Sequence, residues 1–186
     1  MSVPATTASW CVTSSTWKSE PVVRVREFEE RDWPGVWAIM EPNIREGETY
    51  PYARDMTEGG ARRMWLELTD TVYVAEDEDG GILGTYYLKP NQPTLGAHVA
   101  NAGYLVSANA RGKGVGTLMG EHSQTEARRL GYRAMQFNLV VSTNVPSVRL
   151  WQKLGFEITG TLHGAFLHAT EGYVDAHIMY KVLADQ

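Results

Sequence analysis

The sequence has one cysteine, Cys11, in 186 residues, so no internal disulfide framework can staple the chain. Long apolar runs are missing too. None approaches the ~20 residues of a membrane-spanning helix, and no membrane partner is expected. Basic residues are in the minority, 17 Lys and Arg against 22 Asp and Glu, for a formal net charge of −5. A general nucleic-acid binder carries the opposite balance. No nucleic-acid partner is expected, although a local basic spot can still hold one small anion. The opening MSVPATTASWCVTSSTWKSEP lacks arginine and any continuous apolar stretch, so it does not read as a secretory signal. It is expected to be a flexible extension (residues 1–21) ahead of a single domain (residues 22–186), in a cytoplasmic protein.

What is present suits one globular domain with a real core: 43% hydrophobic and 21% charged residues. Alternation in VVRVREF (Val22 to Phe28) predicts a strand. ERDWPGVWAIMEPN predicts a helix, with Asp32 as N-cap, Pro34 in the first turn, and Val36, Trp37, Ile39 and Met40 on its apolar face. TEGGARRMWLELTD predicts a second helix capped by Thr57. Thr71 to Ala75 and Ile82 to Leu88 flank the acidic turn EDEDGG as a hairpin. His98 to Ser107 is the next strand, and Gly103 inside it marks a bulge or the close approach of another group. Further on come a helix facing inward through Val115, Leu118, Met119, His122 and Leu130, the strand AMQFNLVV, and a helix N-capped by Asn144. FEITGTLH and YVDAHIMYKVL make the last two strands. The order β-α-α-β-β-β-α-β-α-β-β describes one α/β domain around a mixed sheet.

The strongest local signal is ARGKGVGTLMGEH, Ala110 to His122. A strand, a glycine-rich turn and a helix together form an anion cradle: the first helical turn leaves backbone N–H groups without intrahelical partners, and the helix dipole adds partial positive charge there. Glycines allow close approach of a phosphate, and Arg111 and Lys113 can add charge-assisted bonds. Gly112, Gly114 and Gly116 match neither the nucleotide-hydrolase loop nor the dinucleotide fingerprint. A pyrophosphate is the natural occupant; a tight turn without a ligand is the plain alternative.

This loop, with the strand before it and TNVPSVRLWQKLGF after it, resembles the GCN5-related N-acetyltransferase (GNAT) superfamily over most of Val22 to Leu183. The resemblance implies a mixed, mostly antiparallel central sheet with splayed strands, flanked by helices. It implies that acetyl-CoA is the cosubstrate and that no metal is used. Its pyrophosphate would be held by Arg111, Gly112, Lys113, Gly114, Val115 and Gly116, and its pantetheine arm by Tyr104, Leu105 and Val106. Many members use a tyrosine in the helix after the second splayed strand to protonate the leaving thiolate. Trp151 stands there instead, and an indole N–H is not a useful acid.

EGETYP, LGTYYLKPN, NAGYLVS, RGKGVG, FNLVVSTN, WQKLGF and VDAHIMY narrow the likeness to the fungal azetidine-2-carboxylate acetyltransferases. These acetylate the ring nitrogen of small cyclic imino acids. That resemblance implies that Asn101 binds the substrate carboxylate with the backbone N–H groups of Asn138 and Leu139. It places the Tyr104 N–H at the thioester, and the Asn144 side chain at the sulfur, as catalytic and cofactor-binding groups. Asn101 and Asn138 also read simply as buried asparagines satisfying neighbouring backbone, and Asn144 as a plain helix cap. No general base stands out: Glu46, Glu48, His98, His163 and Asp175 read as surface or satisfied residues. Tyr50 and Tyr52 read as a core lid, with walls of the amine pocket as the alternative. The expected partner is a small amine or imino acid, and a homodimer is expected from the family. Transfer to a primary amine (an amino acid, an antibiotic or a phosphinothricin-like compound) and a non-catalytic acyl-CoA sensor stay open.

Overall fold

Strand alternation and helix caps place the elements where the sequence puts them. The computed structural model describes residues 23–183, so the expected extension at residues 1–21 lies outside the described residues. The elements are β1 (Arg24–Glu27), α1 (Trp33–Glu46), α2 (Glu58–Arg62), β2 (Thr71–Glu76), β3 (Ile82–Pro90), β4 (Val99–Val106), α3 (Val115–Arg129), β5 (Ala134–Val141), α4 (Val145–Lys153), β6 (Glu157–His168) and β7 (Gly172–Val182). The strands form one sheet in the order β1-β2-β3-β4-β5-β7-β6. Every neighbouring pair is antiparallel except β4 and β5, which run parallel.

The central strands of the sheet are buried on both faces, while the edge strand β6 is largely exposed. Tyr73, Tyr86, Ala100, Ala102 and Phe137 pack under α3 and α4 with Met119, Trp151 and Leu154. Val74 and Leu105 point the other way and pack with Trp33, Val36 and Met40 of α1, and with Trp65 of the π-helical turn that follows α2. Alternate strand residues serve opposite faces, so each central strand must be apolar at nearly every position, as these are.

Several local expectations need correction. Asp32 stands at the N-cap position of α1 but does not cap it. Its carboxylate accepts the Glu29 N–H at 2.8 Å and pairs with the Arg26 guanidinium at 2.6 Å, which also pairs with Glu76. Ion pairing to a neighbouring strand outcompetes the local cap. Leu130 is exposed, and the inner stripe of α3 instead includes Ser123 and Gln124. Both polar groups are satisfied, Ser123 by the Gly120 carbonyl at 2.8 Å and Gln124 by the ammonium of Lys181. The penultimate strand runs on to His168, five residues past its expected end, with irregular pairing that a period-2 pattern hides. Thr57 caps α2 as expected, accepting the Gly60 N–H at 3.2 Å.

Candidate active site

The central feature is a fork between β4 and β5. The two strands pair only at Val99–Ala134 and Ala100–Met135, then diverge. At the point of separation the Asn101 carboxamide donates to the Gln136 carbonyl at 3.0 Å. A side chain there takes over from the next backbone rung. Asn101 is only 8% exposed, and one amide hydrogen and its oxygen remain uncommitted to that bond. The reading of a buried asparagine satisfying neighbouring backbone therefore applies to Asn101, and it also sits at the crotch of the fork.

Across the fork β5 carries a bulge. Phe137 pairs with Met179 and Val140 with His177, so Asn138 and Leu139 together have only one residue of β7 opposite them. A bulge of this kind leaves a residue unpaired and re-aims its backbone. Asn138 is not a buried asparagine: its side chain is exposed, accepts from Gln136 Nε2 at 2.8 Å and donates to Asn91 Oδ1 at 2.7 Å. Neither bond reaches Asn101. Only the backbone of Asn138 and Leu139 remains for the role expected of them.

On β4, Tyr104 turns its main-chain N–H and C=O toward the open side, away from a β4–β5 ladder. Both are met by the Tyr50 hydroxyl, which accepts the N–H at 2.7 Å and donates to the carbonyl at 2.9 Å. The Tyr104 ring points to the other face, where it touches Trp151 (centroids 4.6 Å) and its hydroxyl lies 2.7 Å from Ser123 Oγ. Leu105 is buried against α1 and Val106 packs under α3. Gly103 marks no bulge: the β3–β4 register is unbroken. It marks a close approach, because the Tyr87 ring lies where a Cβ would sit, its Cε1 only 2.6 Å away. Burial pushes the Tyr87 hydroxyl up to about 12.

The glycine loop leads from β4 into α3. Gly112 and Gly114 have φ of 76° and 83°, the left-handed region where a Cβ is penalised. Gly116 serves packing instead, with Leu150 of α4 3.2 Å from where its Cβ would be. Gly114 is the N-cap of α3 and supplies no side-chain acceptor, so the first amides of a 15-residue helix, from Val115 onward, are left for a ligand. Lys113 is exposed, and the Arg111 guanidinium donates to Asn43 Oδ1 at 3.3 Å, tying the loop to α1. This cradle and the β4 edge that β5 leaves unpaired, where the Tyr50 hydroxyl holds the Tyr104 main chain, could chemically take an extended ligand ending in an anion.

Asn144 is the N-cap of α4, its Oδ1 accepting the Ser147 N–H at 3.3 Å. The oxygen caps and the NH2 group is left over, so the cap and a donor role are compatible in one carboxamide. Trp151 is a core residue, 5% exposed and packed on Tyr104, Phe137 and Phe156. His163 and Asp175 pair at 3.0 Å on the exposed β6–β7 hairpin, and His98 is exposed. Among the described residues no group of three His, Cys, Asp or Glu side chains could hold a metal, and no helix is long and apolar enough to cross a membrane. Nothing local in the sequence joins Tyr50 to Tyr104, since 54 residues separate them; the tyrosine-rich loop is the signal the sequence carries.

Residues 22–156 match the model of the acetyltransferase (GNAT) family. The chain is 34% identical over 151 residues to the N-acetyltransferase aca1 of Schizosaccharomyces pombe, covering 73% of this chain and 72% of that one. It superposes on a GCN5-related N-acetyltransferase from Kribbella flavida with a TM-score of 0.82 at 42% identity, over 86% of this chain and 97% of the other. A phosphinothricin acetyltransferase from Sinorhizobium meliloti, solved in complex with acetyl-CoA, shares the fold with a TM-score of 0.78 at 20% identity, over 87% and 89% of the two chains.

Proposed function

The chain belongs to the acetyltransferase (GNAT) family and is an acetyl-CoA-dependent N-acetyltransferase; on that premise we propose that its acceptor is the ring nitrogen of a small cyclic imino acid. L-Azetidine-2-carboxylate and cis-4-hydroxyproline are the type substrates, and acetylation would detoxify such proline analogues. The observation that carries this reading is the placement of Asn101 on β4 across the fork from the β5 bulge at Asn138 and Leu139. A carboxamide NH2 and re-aimed backbone N–H groups are donors without charge, suited to a carboxylate on the carbon next to the reacting nitrogen. Arg111, Gly112, Lys113, Gly114, Val115 and Gly116 would hold the pyrophosphate, and the β4 edge from Tyr104 through Val106 the pantetheine arm.

The chemistry is direct transfer. The neutral secondary amine forms an N–C bond to the acetyl carbonyl, the C–S bond breaks, and its electron pair goes to sulfur. The amine proton leaves to water, and the thiolate takes a proton from water, so coenzyme A departs as its thiol. The Tyr104 N–H supports the negative charge that grows on the acyl oxygen. The Asn144 NH2 donates to the departing sulfur without giving up a proton, which suits a chain where Trp151 replaces the expected acid. The test is thiol release with a panel of amines. Turnover on azetidine-2-carboxylate or cis-4-hydroxyproline at least tenfold above primary amines is expected. Preference for a primary amino acid or phosphinothricin would move the acceptor to that class and refute the cyclic substrate.

A further inference from the structure

We propose that Tyr50 is a catalytic hydrogen-bond donor to the acyl oxygen, forming with the Tyr104 N–H a two-donor oxyanion site that its own hydroxyl fills in the resting chain. The inference rests on the reading that the Tyr104 N–H meets the thioester, and adds a residue that the family resemblance does not assign.

The Tyr50 hydroxyl reaches 54 residues along the chain to grip both main-chain groups of Tyr104 that β5 leaves unpaired. Its ring is held on several sides. It stacks on Tyr52 (5.3 Å, 16°) and meets Trp65 edge-on (6.0 Å). Trp65 is fully buried and bonded to Thr85 Oγ1 at 3.1 Å. The loop carrying Tyr50 is tied at both ends. Gly47 ends α1 at φ 68°, and its carbonyl accepts the Ala169 N–H from the β6–β7 tip at 3.2 Å. Arg54 donates to the Arg45 carbonyl at 2.7 Å, and Arg45 to the Met56 carbonyl at 3.0 Å. A phenylalanine could make the ring contacts; the hydroxyl is what reaches the fork.

An acyl oxygen that accepts the Tyr104 N–H takes over the acceptor role now held by the phenol oxygen. The displaced hydroxyl then lies within about one hydrogen-bond length, ~3 Å, of that oxygen. Its proton can turn from the Tyr104 carbonyl to the acyl oxygen. Burial, with Tyr87 and Tyr52 alongside, holds the Tyr50 hydroxyl well above the ordinary tyrosine range. It therefore stays O–H, a donor and never a base. Tyr50 keeps its proton throughout, and its bond strengthens as charge moves onto the oxygen, which is how an oxyanion donor accelerates acyl transfer.

The experiment is Tyr50→Phe, read by thiol release with whichever amine the wild-type chain turns over fastest, so that failure of the cyclic substrate leaves it intact. Affinities for acetyl-CoA and for coenzyme A are measured by calorimetry in parallel. The expected result is a kcat loss of about 10²-fold or more. Acetyl-CoA should bind as tightly as to wild type or tighter, because a competitor for the Tyr104 N–H is gone, and coenzyme A affinity should stay within threefold. A kcat within threefold of wild type would overturn the proposal. So would equal losses in kcat and acetyl-CoA affinity, or failure of the variant to fold, each of which makes the hydroxyl a structural group.

Discussion

Replacing Gly103 by alanine should damage the fork through one side chain, Tyr87. The two residues face each other across β3 and β4. A Cβ on residue 103 would stand 2.6 Å from Tyr87 Cε1, 2.9 Å from Cζ and 3.0 Å from the hydroxyl oxygen. Ordinary carbon contacts lie near 3.5–4.0 Å, so the ring must retreat by about 1 Å. Its edge-on partner Trp65 blocks that path at 4.9 Å between centroids and is itself buried and hydrogen-bonded. Overpacking of this kind costs about 1–3 kcal/mol, or roughly 2–4 °C of melting temperature per kcal/mol for a chain of this size. Urea unfolding should therefore show Gly103→Ala destabilised by about 2 kcal/mol. In a Tyr87→Ala background the same change should cost nothing, or gain about 0.5 kcal/mol from the lost glycine entropy. Additive costs in the two backgrounds, or an unchanged urea midpoint for Gly103→Ala alone, would refute the contact as the reason for the glycine.

Three further outcomes follow from named contacts. Asn144→Asp keeps a capping oxygen for Ser147 but removes the NH2; melting should be unchanged while kcat falls about 10²-fold, and a kcat within threefold would remove Asn144 from the chemistry. Gly114→Ala adds a methyl with no neighbour within 4 Å but at φ 83°; stability should drop by roughly 1 kcal/mol and calorimetry should show weaker acetyl-CoA binding, with an unchanged Kd counting against the cradle. The Arg26 guanidinium holds the Asp32 and Glu76 carboxyls below their ordinary values of 3.8 and 4.5. That stability is present above those ordinary values and lost as pH falls through the depressed ones. Arg26→Met leaves the buried Asp32 carboxylate without its ion-pair partner, while Glu76 keeps Arg24, and should cost about 3 kcal/mol near neutrality, with the acid-unfolding midpoint moving to higher pH; a midpoint that stays put would show that the network carries no acid stability.

The element order, the strand β5 to the residue, the caps at Thr57 and Asn144 and the glycine cradle were legible in the sequence. Each is a local matter of periodicity, capping chemistry or backbone freedom, written within a few residues. The caps show where local reasoning stops. Thr57 and Asn144 have no competing partner and behave as expected, whereas Asp32 is drawn away by an arginine on β1. The sequence reads Gly103 as a bulge or a close approach; the register shows no bulge, and which ring approaches depends on its pairing with Tyr87.

The sequence by itself determined the family, the α/β order and the glycine loop whose helix N-terminus lacks a side-chain cap, because those rest on neighbours along the chain. Tertiary structure alone decided where β4 and β5 part, that Asn101 closes the crotch of the fork, that a bulge at Asn138 and Leu139 opens its far wall, and that Tyr50 sits on Tyr104. These depend on strand divergence and on contacts spanning tens of residues. No local pattern encodes them, since a strand reads the same whether its neighbour pairs with it or turns away.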